Sequence, residues 1–172
     1  LHPMTRALLP RIKPPQLMRL LAWFVFLSGW LAPWTAHARW EKEMASFARQ
    51  DEQSPFAPGG IVFVGSSSIR LWQVESAFPE YRVLNRGFGG SQIRDSIDWL
   101  DRVIAPHRPR LVVFYAGGND IHAGKSAQVV IGDARELFEK IHAALPETRV
   151  LYLSVAPNPS RWAEITTVRE VN

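Results

Sequence analysis

The sequence predicts an α/β fold, a three-layer α/β/α sandwich around a parallel sheet, from three observations. Four short strand-like runs, at 61–64, 81–84, 111–115 and 150–153, alternate with stretches whose apolar residues recur at helical spacing. Ile61-Val62-Phe63-Val64 is apolar on every residue, the pattern of a strand covered on both faces. Glycine- or serine-rich loops follow the first three runs. Strand–helix alternation of this kind builds parallel βαβ units, and ligands then bind outside the carboxyl ends of the strands.

The elements follow in order. Residues 39–53 place Trp40, Met44, Phe47 and Ala48 at helical spacing, and Pro55, Pro58, Gly59 and Gly60 then break the chain. After the first strand, 69–77 reads as a short helix. Tyr81–Leu84 is the second strand, with Asn85–Gly90 as its loop. Residues 91–104 read as a helix with Ser91 as N-cap and with Ile93, Ile97, Leu100 and Ile104 on one face. Pro106 and Pro109 end it. Leu111–Tyr115 is the third strand, 126–145 a helix, and Val150–Leu153 the fourth strand. A last helix starts near Trp162 and still runs at Asn172.

Length and composition bound the function. The chain has 172 residues, room for one ordinary domain, and its 47% hydrophobic and 21% charged content is globular. It has no cysteine, which excludes a disulfide scaffold, a thiol nucleophile and cysteine-based metal sites. The formal charge is +4, but four of the 20 basic residues (Arg6, Arg11, Lys13, Arg19) precede Arg39 and no acid does. Residues 39–172 therefore carry 16 basic and 16 acidic groups, which argues against a nucleic-acid partner.

The basic excess belongs to an address. Met18-Arg19, an apolar run over Leu20–Leu27, and Ala36-His37-Ala38 form the n-region, h-region and A-x-A site of a signal peptide over 18–38. The uninterrupted run is far short of the ~20 residues of a bilayer span, so no stable membrane anchor is expected. Cleavage is expected after Ala38, with export to the periplasm or beyond. Residues 1–17 hold four prolines and no initiating Met, and are expected to lie upstream of the true start at Met18, as a non-translated or disordered extension.

Three loops at the carboxyl ends carry chemistry. Gly65-Ser66-Ser67-Ser68 places a serine at a helix start, where negative charge is favoured; the same serines serve equally as caps and turn formers. The glycines of Asn85-Arg86-Gly87-Phe88-Gly89-Gly90 let backbone approach a ligand, but the spacing is not a dinucleotide fingerprint. In Gly117-Gly118-Asn119-Asp120, the Asn can donate to a developing oxyanion or simply form an Asx-turn.

Taken in order, these loops resemble the three blocks of the SGNH (GDSL-like) hydrolases. The strings FVGSSSIRLW, LNRGFGGSQI, FYAGGNDI and SVAPNPSRW are similar to an exported bacterial branch related to platelet-activating-factor acetylhydrolase-like esterases. The resemblance covers roughly 40–172. It implies Ser67 as nucleophile, with Ser66 where Asp often stands in the family. It also implies Gly90 as backbone oxyanion donor and Asn119 as side-chain donor. The reaction it implies is hydrolysis of a small-molecule ester through an acyl-enzyme, with no metal and no cofactor. Two other readings use the same loops: a secreted module binding an acylated or carbohydrate ligand, and a flavodoxin-like phosphate cradle at 65–68.

One departure matters. The family takes its base from a D-x-x-H block after a fifth strand, and this sequence has no D-x-x-H. The last strand, last helix and His–Asp pair are expected to be missing and hydrolysis impaired. Of the three histidines in 39–172, His107 and His142 are expected at the amino end of the sheet, and only His122 at the end with Ser67. Asp120 is expected to accept a loop-stabilising hydrogen bond. Trp72, Trp99 and Trp162 default to the core, with Trp162 alternatively a substrate wall; Arg86 and Arg161 are open between bracing and substrate contact.

Overall fold

The structure is a computed structural model, and it describes residues 32–172, with side chains from 39 onward. The signal segment 18–38 and the extension 1–17 therefore lie almost wholly outside the described residues. The chain divides into residues 1–41 and 42–172. Of the first unit, the described part is the start of helix α1, Ala32–Gln53. It begins ahead of the expected 39.

The second unit holds a four-stranded, all-parallel sheet: β1 Ile61–Gly65, β2 Val83–Gly87, β3 Leu111–Tyr115 and β4 Arg149–Tyr152. The order is β2-β1-β3-β4. The chain thus leaves β1 toward one side for β2 and returns to the other side for β3. The gap above β1 and β3 is the switch point, where two successive connections diverge and leave a crevice.

Alternate strand residues face opposite layers. On one side Phe63 and Val113 pack with Ile69 and Val74, all buried. There Phe63 stacks on Phe78 (5.4 Å between centroids) and meets Trp72 edge-on (5.5 Å). Ile69 and Val74 belong to two short helices, α2 Ser67–Leu71 and α3 Val74–Ala77, with Trp72 and Phe78 as their C-caps; the two divide at the extended Trp72 where one helix over 69–77 is expected. On the other side Phe114 meets Phe138 of the long helix α7, defined below, and stacks on Tyr152 (5.9 Å).

Other boundaries differ from expectation for local reasons. β2 does not end at Leu84; pairing with β1 continues to Gly65↔Gly87, so Asn85–Gly87 is strand rather than loop. The polar side chains of β2 are tolerated because each is bonded: Asn85 to Ile69 O and Trp72 O, Arg86 to Asp51 and Gln50. The expected helix at 91–104 is two, α4 Ile93–Asp98 and α5 Leu100–Val103, separated at Trp99. Ser91 is not its cap: Gln92 is, and its N–H donates to Asp95 Oδ2 at 2.8 Å. A 3₁₀ turn, Ala105–His107, follows. Beyond β3 come α6 Gly118–His122 and α7 Ala127–Ala144. Ser126 caps α7, its Oγ accepting from Val129 N. A 3₁₀ segment, Pro159–Glu164, then leads into α8 Ile165–Val171.

Candidate active site

The site grows from the carboxyl end of β1. Gly65 has φ +144, and a Cβ there would overlap the Tyr115 carbonyl. That close approach lets the chain turn sharply: Ser66 N donates to Tyr115 O (3.1 Å) and Phe88 N to Gly65 O (2.9 Å). Ser66 is buried, Ser67 half-buried and Ser68 exposed. Ser67 is the first residue of α2.

Asn85, which sequence reasoning placed in a loop without a role, ties the next block to this turn. Its Nδ2 donates to Ile69 O (2.7 Å) and Trp72 O (2.9 Å), while its Oδ1 accepts from Gly87 N (2.8 Å). The chain then reaches Gly90, with φ +80. The signal that could have revealed Asn85 is an amide directly after the apolar pair Val83-Leu84 and two residues before Gly87, from whose N–H it accepts.

Asn119 sits in α6. Its Nδ2 donates to Ser91 O at 2.9 Å, which uses one amide hydrogen and leaves the second. Its neighbour Asp120 is fully buried and accepts from Ile93 N (3.2 and 3.3 Å to its two oxygens) and from Lys125 Nζ (2.8 Å). This fits the expected loop-stabilising acceptor. Burial pushes the Asp120 carboxyl above the usual carboxylate range, and the bonds from Lys125 and Ile93 offset only part of that. Tyr152, whose hydroxyl donates to Ala116 O (3.0 Å), is pushed up to about 12 by burial, then by Asp120 and Tyr115.

Ser67 and Asn119 line one cleft of about 160 Å³, together with Ser66, Ser68, Tyr115 and Gly118. The opposite wall comes from the segment after β4: Val155, Ala156, Asn158, Arg161, Glu164 and Val168. Gly90 is not among the lining residues. In the sequence this wall shows as the string SVAPNPSRW, with Arg161 open between bracing and substrate contact. Arg161 lines it and donates to Gly118 O (3.3 Å), whereas Trp162 is 59% exposed and stands outside. The same segment is clamped by Asn172, whose amide donates to Val155 O (3.0 Å) and accepts from Val155 N (2.9 Å).

The remaining candidates lie elsewhere. Arg86 is buried and faces α1, pairing with Asp51, donating to Gln50 Oε1 (3.2 Å) and covering the Phe47 ring. It braces rather than meeting substrate. Trp72 is 37% exposed, at the edge of the core. His107 and His142 precede β3 and β4, at the amino end of the sheet. His122 is at the correct end, but its Nδ1 is bonded to Glu164 Oε1 (2.7 Å), it is exposed, and it does not line the cleft. Among the described residues no three His, Asp or Glu are grouped to hold a metal.

The comparisons agree with this architecture. The model of the GDSL-like Lipase/Acylhydrolase family matches residues 68–172, starting one residue after Ser67. Three solved structures share the fold. A platelet-activating-factor protein from Streptococcus pneumonia is 20% identical with a TM-score of 0.63, over 80% of this chain and 62% of that one. A protein from Bacteroides fragilis designated an acylhydrolase is 21% identical with a TM-score of 0.62, over 73% of this chain and 66% of that one. A GDSL-like lipase from Bacteroides thetaiotaomicron is 20% identical with a TM-score of 0.60, over 75% of this chain and 70% of that one. The chain thus spans less than two thirds of the first two. No curated protein matches the sequence.

Proposed function

The chain belongs to the GDSL-like lipase/acylhydrolase family, and from that premise we propose that it is an exported serine esterase that cleaves a small acyl ester through an acyl-enzyme on Ser67. The observation that carries the reading is the cleft at the switch point, where Ser67 from the loop after β1 and Asn119 from the segment after β3 share one small cavity. Its volume suits an acyl group of a few atoms, and its hydrogen-bonding side chains suit a polar alcohol.

In this reading Ser67 Oγ attacks the ester carbonyl and forms a C–O bond as its proton passes to a base. The carbonyl oxygen becomes an oxyanion held by the free Asn119 amide hydrogen, the Gly90 N–H and the Ser67 N–H. Collapse expels the alcohol, which takes the proton, and water then releases the acid by the same steps. None of His107, His122 and His142 lines the cleft. A D-x-x-H segment of the kind the family resemblance implies would supply the base, and the 172-residue chain by itself is expected to turn over slowly. Loss of the base cost about 10⁶ in kcat in a well-studied serine protease. A second reading of the same cleft is a binding module for an acylated or carbohydrate ligand.

The test is p-nitrophenyl acetate hydrolysis by residues 39–172, beside a version extended with a homologous D-x-x-H segment. The extended protein should turn over and lose all activity in Ser67→Ala. Rapid, saturable turnover by the short form that disappears in His122→Ala would overturn the account of the base. An extended protein that binds but never hydrolyses would favour the binding module. Export is tested by N-terminal sequencing, with Arg39 expected first.

A further inference from the structure

Two of the three proposed oxyanion donors, Gly90 and Asn119, come from strands that do not touch. Gly90 follows β2 and Asn119 follows β3, and β1 lies between those strands. Two strand spacings separate their bases by roughly 9–10 Å. Sheet pairing alone does not bring one donor to the other, yet an oxyanion needs its donors within a few tenths of an ångström of their working positions.

Backbone bonds at β1 tie each strand end to the first loop, Ser66 N to Tyr115 O and Phe88 N to Gly65 O, and two further bonds join α6 directly to the residues just after Gly90. Asn119 itself donates to Ser91 O (2.9 Å), and the next residue, Asp120, accepts from Ile93 N (3.2 and 3.3 Å). The second bond is anchored from behind. Lys125 Nζ lies 2.8 Å from Asp120 Oδ1 and 2.8 Å from Asp133 Oδ2 on α7, and Lys125 N donates to Asp120 O (3.1 Å), closing the turn. Asp120 is wholly buried, where an ionised carboxylate is costly unless paired. Joining α6 to α7 alone would be served as well by an apolar contact; what the carboxylate adds is an acceptor for the Ile93 N–H.

We propose that Asp120, held by Lys125 and Asp133, is a positioning residue that sets the Asn119 amide against the Gly90–Ile93 segment and so fixes the geometry of the oxyanion site. This rests on the active-site reading above and deepens it. Asp120 does not touch substrate; it acts through Asn119 and Gly90.

The decisive experiment is native-state amide exchange by NMR on the 172-residue chain. Asp120→Ala should speed exchange of the Ile93 backbone amide tenfold or more, and the Gly90 amide and Asn119 side chain should follow. The sheet amides of Val62–Val64 and Val112–Phe114 should be unchanged. Asp120→Asn keeps an oxygen acceptor and should restore most of the protection. If Asp120→Ala does not fold, Lys125→Met takes its place, with acceleration of threefold or more at the same amides. No local change, or acceleration shared equally by the sheet, would overturn the proposal.

In the version extended with D-x-x-H, Asp120→Ala should lower kcat about tenfold with KM unchanged. In an Asn119→Ala background it should cost less than threefold, because one of the two donors it positions is gone. Full additivity would overturn the proposal. Activity that survives Ser67→Ala would instead sink the active-site reading and leave the exchange result standing.

Discussion

Asp120 and Arg86 are both buried charges beside a glycine loop, yet their partners lead in opposite directions. Asp120 reaches Ile93 N and, through Lys125, Asp133; its neighbours carry the residues of the cleft. Arg86 turns away from the cleft to Asp51, Gln50 and the Phe47 ring, fastening α1 to the edge strand β2. His107 shares that cluster, 3.8 Å from Asp51 and edge-on to Phe56. Burial of charge is thus no guide to function by itself. What separates the clusters is whether the bonds hold the segment that carries Gly118 and Asn119 into the cleft or fasten a helix onto the edge strand.

The largest expected effect breaks the cleft side of the comparison. With a D-x-x-H base supplied, Asn119→Ala should lower kcat about 10²–10³-fold, the usual cost of one oxyanion donor, with little change in Tm. Steady-state kinetics beside thermal melts checks this, and an equal loss of stability would assign Asn119 to structure.

On the other side, Arg86→Ala should cost about 3 kcal/mol of stability, the lower end for breaking a buried pair, since Asp51 keeps partial access to water. Urea melts measure it. The kcat of the folded fraction should stay within about twofold; a kcat loss like that of Asn119→Ala would abolish the contrast.

The two clusters should also carry opposite pH dependences. Asp120 has its carboxyl pKa raised by burial, so the native state holds its proton more tightly than the unfolded chain. Its contribution is complete below the ordinary carboxylate range and is lost as pH rises through the folded value. His107 has its pKa lowered by burial, and further by Arg86, against an opposing pull from Asp51. Its contribution is complete above about 6.5, the usual His value, and is lost as pH falls through the folded value. Melts in Asp120→Asn should lose the first slope and in His107→Gln the second. Matching slopes in the two variants would contradict the assignment. The smallest effect is Trp162→Ala: at 59% exposure and outside the cleft, it should shift stability by no more than about 0.5 kcal/mol.

The fold was legible in the sequence because its signals are local. The apolar run at 61–64 and the run Leu111–Tyr115 are strands as expected, and α7 lies within the predicted 126–145. Errors fell where tertiary contacts override local pattern. Asn85 and Arg86 look like loop residues, but in β2 each is satisfied by a partner at least 13 residues away. Ser91 looks like a cap, but its carbonyl is committed to Asn119 and the helix starts two residues later. The three blocks of the site were visible as glycine, serine and asparagine at strand ends. Part of the second wall was visible too, in SVAPNPSRW and Arg161; Glu164 and Val168 were not, since they become neighbours of Ser67 only when β4 pairs with β3.

The account stands or falls on Ser67. Fluorophosphonate labelling of the version extended with D-x-x-H, followed by peptide mapping, reads it directly, because only an activated serine reacts. The expected result is one modified residue, Ser67, labelled as fast in Ser66→Ala and Ser68→Ala and not at all in Ser67→Ala. Label on Ser66, or labelling that survives Ser67→Ala, would contradict it.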